Sequence, residues 1–391
     1  MRSVAAVLAL TMFVAGCASS SGGEGGGGSE GVTSSQILLG TSNPLTGAAG
    51  GACKPISDAA WAWFEKVNAD GGVNGRKIKN EVLDDQYDAT QALANARQFV
   101  RDKVFAFFGG CGTIQPPAML PVAQQSNTLL LFPYAGLPAL FTEKNVFNLL
   151  PLYGDQHAAA IGYAFGEQGK GSVYSVVQQA DGQQETIDGI KNAATEGGGT
   201  YAGGSLVTVN ERDFNSLALK IKQARPDYIS MQVSAGPAAQ LITAMVQQDA
   251  LPTKSLLGTS VLAASSFLDA IPKSVHSKLI VANPTVASTS PHAAECVAAV
   301  KEYSPDTPID VFSMWGCATA QVFVAGLEEA GNDVTRDSFA KVLEGWKNKD
   351  ASPMIPPVTF TETNHLGNTA VTLITIKDGQ PTVVGTVQLS S

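Results

Sequence analysis

The chain has 391 residues, 44% of them apolar and 15% charged, with a formal net charge of −9. That composition supports large buried cores. The acidic balance removes any general attraction for nucleic acid or for an anionic lipid surface.

The N-terminus places Arg2 before an eleven-residue apolar stretch, Val4 to Val14, which ends in Val14-Ala15-Gly16-Cys17. A positive residue, a short apolar run and small residues make a secretory signal, and eleven residues fall short of the roughly 20 that a membrane-spanning helix needs. Val14 to Cys17 resembles the lipobox of bacterial lipoproteins. That resemblance implies cleavage after residue 16 and an acylated Cys17, with two chains giving stable anchoring outside the cytoplasmic membrane. Removal of residues 1–16 takes Arg2 away and leaves 24 Lys+Arg against 34 Asp+Glu, a net of −10. Residues 17–35 are rich in Gly and Ser and read as a flexible tether reaching roughly 20 to 25 Å. No later stretch reaches 18 uninterrupted apolar residues, so no second membrane segment is expected.

Roughly 355 residues follow, more than one core usually serves, so two lobes are expected. Short apolar runs alternate with amphipathic helical stretches, the signature of βαβ units and parallel sheets. Strands are expected at 36–41, 78–83, 104–108 and 128–132, with helices at 58–68, 88–101 and 117–125. Asp88 is the expected N-cap of the second helix. The pair Asp84-Asp85 reads as a solvated strand end. A second series begins near Gly154, with strands at 172–177, 205–209, 228–233, 255–258 and 278–282 and helices near 183–196, 213–224 and 236–249. Three helices follow in 291–347. Strands at 371–376 and 382–387 flank Asp378-Gly379, a hairpin signal.

Beyond Cys17 four cysteines remain, Cys53, Cys111, Cys296 and Cys317. Three pairings are possible in a compartment that permits disulfides. Cys53 and Cys111 fall in expected loops after strands of the first lobe, and Cys296 and Cys317 on successive helices, which favours 53–111 with 296–317 over free thiols. The four histidines, His157, His276, His292 and His365, have no metal-ligand spacing. Hydrolase, metalloprotease and P-loop motifs are missing, so the sequence offers no catalytic set.

The segments QILLGTSNPLTGAAGG, WFEKVNADGGVNGRKIK, LDDQYDATQALANARQFV, FAFFGGCGTIQPPAMLPVA and LLLFPYAG together resemble the leucine/isoleucine/valine-binding proteins, type I solute-binding proteins of ATP-driven importers. The resemblance runs from about residue 36 to 391. It implies an α/β fold of two doubly wound lobes joined by a three-strand hinge, with lobe 1 at 36–153 plus 285–355 and lobe 2 at 154–284 plus 356–391. It implies a small-molecule ligand in the interlobe cleft, no cofactor, no enzymatic activity, a monomeric state, and separate ABC permease and ATPase subunits as partners. A sensor domain signalling to a membrane partner, a surface enzyme and a purely structural surface protein are the rival readings.

Carried onto this chain, the family's ligand-carboxylate position falls on Cys111-Gly112-Thr113, and a second ligand loop on Tyr134-Ala135-Gly136. In lobe 2 the equivalent strand ends carry Asp181 and Ser234 where relatives often have aromatic residues. At Gly258-Thr259-Ser260 the amino-acid binders carry an acid that pairs with the ligand ammonium, and this chain has Ser260. An ammonium then lacks its partner unless Asp155 or Asp181 supplies one, so amides and organic or aromatic acids join branched-chain amino acids as expected ligands. Trp61, Trp63 and Trp315, at helical spacing, read as core more readily than as cleft.

Overall fold

A computed structural model describes residues 29–47, 49–180, 182–208 and 210–389, so Cys17 and Asp181 lie outside the described residues. In chain order the first lobe contains β1 (Gln36–Asn43), α1 (Gly50–Ala69), β2 (Lys77–Asp84), α2 (Ala89–Arg101), β3 (Ala106–Phe108), α3 (Gln115–Gln125), β4 (Leu129–Leu131) and β5 (Val146–Phe147). The second contains α4 (Tyr153–Gln168), β6 (Ser172–Gln178), α5 (Gln183–Glu196), β7 (Thr200–Val207), α6 (Phe214–Ala224), β8 (Tyr228–Gln232), α7 (Ala235–Gln247), β9 (Ser255–Thr259), α8 (Ser265–Ala270), α9 (Lys273–His276) and β10 (Leu279–Asn283). Three helices, α10 (Ala294–Tyr303), α11 (Val311–Ala330) and α12 (Arg336–Glu344), precede the hairpin β11 (Ala370–Lys377) and β12 (Gln380–Gln388).

The strands form two sheets, ordered β2-β1-β3-β4-β5 and β12-β11-β10-β9-β8-β6-β7. The first is wholly parallel, and the second turns antiparallel only at β11 and β12. Local chemistry sets the ends of several elements. The Asp88 carboxylate accepts from Gln91 N and starts α2, and reciprocal capping boxes, Asp310 with Ser313 and Thr335 with Ser338, start α11 and α12. Asp378 and Gly379 both adopt positive φ in the β11–β12 turn, as a two-residue hairpin requires.

Three differences from the sequence reading matter for the site. Helix α1 starts at Gly50 instead of residue 58, so Cys53 lies in its first turns and not in a loop. The glycines at its start and Pro55 disguise those turns, since both residue types score poorly for helix. Residues 356–366, expected in lobe 2, pack on lobe 1: Phe360 lies edge-on to Phe147, His365 stacks on Phe147 at 4.1 Å, and His365 N donates to Phe141 O. Residues 29–35, expected as free tether, instead lie against the first sheet. Leu38 N donates to Gly31 O, and Gly31, at φ +75°, sits so close that a Cβ would come within 2.1 Å of Phe105 N.

Helix α11 is apolar and long enough to cross a membrane, yet most of it is buried. Its apolarity serves the lobe 1 core, where Phe323 meets Phe64, Phe105, Phe108 and Phe339 with ring centroids 5.4–6.4 Å apart. Cys296–Cys317 fastens α10 to α11. At the opposite end of the sheet from the cleft, the buried Arg336 gathers backbone carbonyls. Its Nε donates to Phe105 O at 2.8 Å, its terminal nitrogens reach Val104 O, Ser126 O and Asn127 O, and Glu30 lies 3.3 Å away. Ser29 Oγ accepts from its backbone N–H. Arg336→Met is expected to cost about 3 kcal/mol or more by leaving carbonyls unpaired. The midpoint of chemical denaturation should fall, and limited proteolysis should cut within 29–35 far faster than in wild type.

Candidate functional site

Parallel strands direct their carboxyl ends one way, and in open α/β sheets ligands collect beyond those ends. Here the two sheets face each other across a cleft, bridged by three crossing segments. Asn148 N donates to His365 O, Gly367 N to Asn148 O, and Asn368 Nδ2 to Pro284 O, so the crossings lie side by side. Between the lobes is a cavity enclosing about 670 Å³ of empty space, part of it continuous with solvent. Both lobes line it.

Lobe 1 contributes the turn after β3, Cys111 to Thr113, together with Ala49, Ala52, Cys53, Tyr87, Tyr134, Leu137 and Phe312. Gly112 has φ +119°, and a Cβ there would lie 2.1 Å from Gln115 Oε1, so the turn requires glycine. Among the described residues no acceptor meets the backbone N–H of Thr113, just before α3. That N–H, the Thr113 hydroxyl and the helix N-terminus favour an anionic or carbonyl oxygen. The Cys53–Cys111 disulfide forms part of the wall and ties this turn to α1. Tyr134 packs edge-on against Phe312 and Trp315, at 5.1 and 5.5 Å. Trp315 thus supports the wall from behind, and neither Trp61 nor Trp63 lines the cavity.

Tyr87 escaped the sequence reading. It adopts φ +61° beside Gln86 at +55°, an unfavourable backbone for a bulky residue that its surroundings must enforce. Asp84 Oδ1 accepts from Gln86 N, and Asp85 Oδ1 from Tyr87 N, both at 2.9 Å. Asp85 is therefore no solvated strand end. It is fully buried, holding Ser42 Oγ at 2.9 Å and Gln115 Nε2 at 3.2 Å, and burial pushes its carboxyl up to about 6. The DDQYD run carries the signal, since consecutive acids before a turn can fold back onto the next N–H groups.

From lobe 2 come Tyr153, Val177, Gln178, Ala180, Gln183, Thr186, Gln232, Val233, Ser234, Ala235 and Val261. Gln178 Nε2 donates to the Tyr87 hydroxyl at 3.2 Å, and Ser265 N donates to Asp310 Oδ2 at 3.0 Å, so hydrogen bonds cross the cleft in this arrangement. Ser234 lines the cavity and donates to Gln178 Oε1. Other expected residues lie elsewhere. Ser260 Oγ donates to Asn283 Oδ1, and Asp155 lines a separate groove between α4 and β12. Ala135 and Gly136 serve the hinge, their carbonyls accepting from Asn148 Nδ2 and Tyr153 N.

Among the described lining residues none is charged, and none forms a nucleophile–base pair. Glu185 stands beside the lining Thr186. It accepts from Gly154 N at the start of α4 at 3.1 Å, and burial, then the nearby Asp155, push it up to about 7.

Residues 36–381 match the model of a family described as periplasmic binding protein. The chain is 24% identical over 346 residues to a Leu/Ile/Val-binding protein homologue of Brucella melitensis, covering 88% of this chain and 92% of that relative. It is 24% identical over 299 residues, 75% of this chain and 79% of the other, to a leucine-, isoleucine-, valine-, threonine- and alanine-binding protein of Pseudomonas aeruginosa. Among solved structures, a fatty acid ABC transporter substrate-binding protein from Thermomonospora curvata superposes with a TM-score of 0.82 at 21% identity, covering 94% of this chain and 95% of that one. A leucine binding protein from Thermotoga maritima gives 0.77 at 18% identity, covering 90% and 99%.

Closing a loop between residues 58 apart removes chain entropy worth about 4 kcal/mol from the unfolded state. Cys53→Ser with Cys111→Ser is accordingly expected to lower stability by up to that amount in denaturant titrations. The protein should still fold, because the Cys296–Cys317 bridge and the aromatic core are untouched.

Proposed function

The chain belongs to the periplasmic binding protein family, and on that premise we propose that it is the lipid-anchored, extracytoplasmic solute-binding subunit of an ATP-driven importer. It captures a small solute, a branched-chain amino acid, an amide or an organic or aromatic acid, between its lobes. The observation that carries this reading is the interlobe cavity itself, walled by both lobes and free of charged or catalytic groups among its described lining residues. Names of relatives lend support, since they include binders of aliphatic amino acids and of a fatty acid.

A ligand oxygen rests on Cys111-Gly112-Thr113, and Tyr134 lies along the ligand body. Ligand contacts to both lobes favour the closed arrangement by their differential affinity for it, adding to the Tyr87–Gln178 and Asp310–Ser265 bonds. A membrane permease, coupled to its ATPase, reads that closure. The subunit acts as a monomer and needs no cofactor, and Cys17 holds it at the membrane through its acyl chains.

The test is thermal unfolding of the full chain in detergent against amino acids, amides, small carboxylates and aromatic acids. A solute that binds only the folded state stabilises by about 2.7 kcal/mol at a hundred times its dissociation constant, so a true ligand raises the midpoint by degrees. No shift from any solute would count against the solute-binding reading. Separately, Cys17→Ser is expected to move the protein from the membrane fraction to the soluble one, and an unchanged distribution would refute the anchor.

A further inference from the structure

The cavity's lobe 2 wall contains three glutamines, Gln178, Gln183 and Gln232, and the protein itself occupies all three of their carbonyl oxygens. Gln178 Oε1 accepts from Ser234 N at 3.1 Å and from the Ser234 hydroxyl at 2.7 Å. Gln183 Oε1 accepts from Ala180 N at 3.0 Å. A backbone N–H can only donate, so each of these amides is held in one orientation with its NH₂ group left over. The NH₂ of Gln178 reaches the Tyr87 hydroxyl, and that of Gln183 has no partner among the described residues.

Gln232 is fixed through a longer chain. Burial keeps His157 neutral, lowering its pKa to about 4. Because Gln232 Oε1, an acceptor, faces Nε2 at 3.1 Å, the single ring N–H stands on Nε2, and Nδ1 is left to accept from the Ser230 hydroxyl at 2.8 Å. That N–H and the Thr259 hydroxyl, at 3.1 and 3.2 Å, both point at Gln232 Oε1. The NH₂ of Gln232 is again left over.

Lobe 2 therefore presents amide donors to the cavity, and lobe 1 presents the Thr113 N–H and hydroxyl. The remaining side-chain acceptors among the described lining residues are neutral hydroxyls, those of Tyr87, Thr113, Tyr134, Tyr153, Thr186 and Ser234, which do not repay the desolvation of an ammonium as a carboxylate does. A second anionic group fares no better, because no cation stands in the described wall. Leu137, Val177, Val233, Val261 and Phe312 supply the apolar flank.

We propose that the ligand is a monocarboxylate without an ammonium, whose second polar group is a neutral hydrogen-bond acceptor facing lobe 2, as in a 2-oxo acid or an N-acyl amino acid. This rests on the solute-binding reading above and narrows its substrate class.

Matched probes isolate the point. Leucine, 4-methyl-2-oxopentanoate and N-acetylleucine, and the corresponding phenylalanine, phenylpyruvate and N-acetylphenylalanine, are titrated calorimetrically into the full chain in detergent. For at least one body the oxo or N-acetyl form should bind tenfold or more tighter than the amino form. Gln183→Glu and Gln232→Glu each place a carboxylate oxygen where an NH₂ stood, and at least one should reduce that ratio tenfold. Equal or tighter binding of the amino form overturns the inference while leaving the solute-binding reading intact, and its loss in Asp181→Asn would identify the acid responsible. An unchanged ratio in both glutamate variants also overturns it. If no probe binds, mass spectrometry of solute retained by the natively purified protein separates the two failures: a retained solute of another class sinks only this inference, and an empty protein argues against both.

Discussion

Desolvation governs this molecule's chemistry. A group that enters the cleft exchanges water for a wall of tyrosines, alkyl side chains, a disulfide and neutral amides, so every polar atom of a ligand must find its complement there. The protein's own charges follow the same rule. Asp85 is buried but surrounded by Ser42, Gln115 and the Tyr87 N–H, and Arg336 is buried at the far end of the sheet among carbonyls and Glu30. Each is repaid by hydrogen bonds. The cavity has no comparable arrangement for an ammonium among the described residues.

The two carboxylate networks also explain how a small cavity is kept in shape. Asp85 fixes a left-handed Tyr87, which reaches Gln178 of the other lobe, and Gln178 in turn holds Ser234. Asp310 caps α11 with one oxygen and accepts from Ser265 across the cleft with the other. Burial raises the Asp310 pKa, and the hydrogen bonds from Ser265, Ser313 and Phe312 oppose that rise. The bonds between the lobes thus use residues that are also held by hydrogen bonds within their own lobes.

Lobe 1 is the more elaborate of the two bodies. Its five-stranded sheet is backed by α10, α11 and the segment that follows α12, which return from far along the chain, and by residues 29–35, which are fastened to it by Arg336 and Gly31. Residues 29–35 thus lie against lobe 1 at the end remote from the cleft.

The alternation of apolar runs and amphipathic helices was sufficient to place most strands and helices, because period and punctuation are local properties. Asp88 as a cap, the Asp378-Gly379 turn and the extent of α5 were legible for that reason. The turn at Cys111 to Thr113 was legible too, as a glycine turn between a strand and a helix. Tyr134 and Ser234 also stood at expected strand ends and line the cavity, but most of the remaining wall was not legible. Tyr87, Gln178 and Gln232 gain their roles from partners 91, 56 and 75 residues away, and no local pattern encodes which oxygen of an amide will be occupied. Ser260 and Asp155 stood at plausible positions, yet the fold turned the first toward Asn283 and the second to another groove. The sequence by itself determined the two-lobed α/β architecture, which follows from residue type and order, while the missing acid after β9 was visible only through the family resemblance. Only the tertiary structure decided which neutral groups wall the cavity and which way they point, because hydrogen-bond direction is set by neighbours brought together in space.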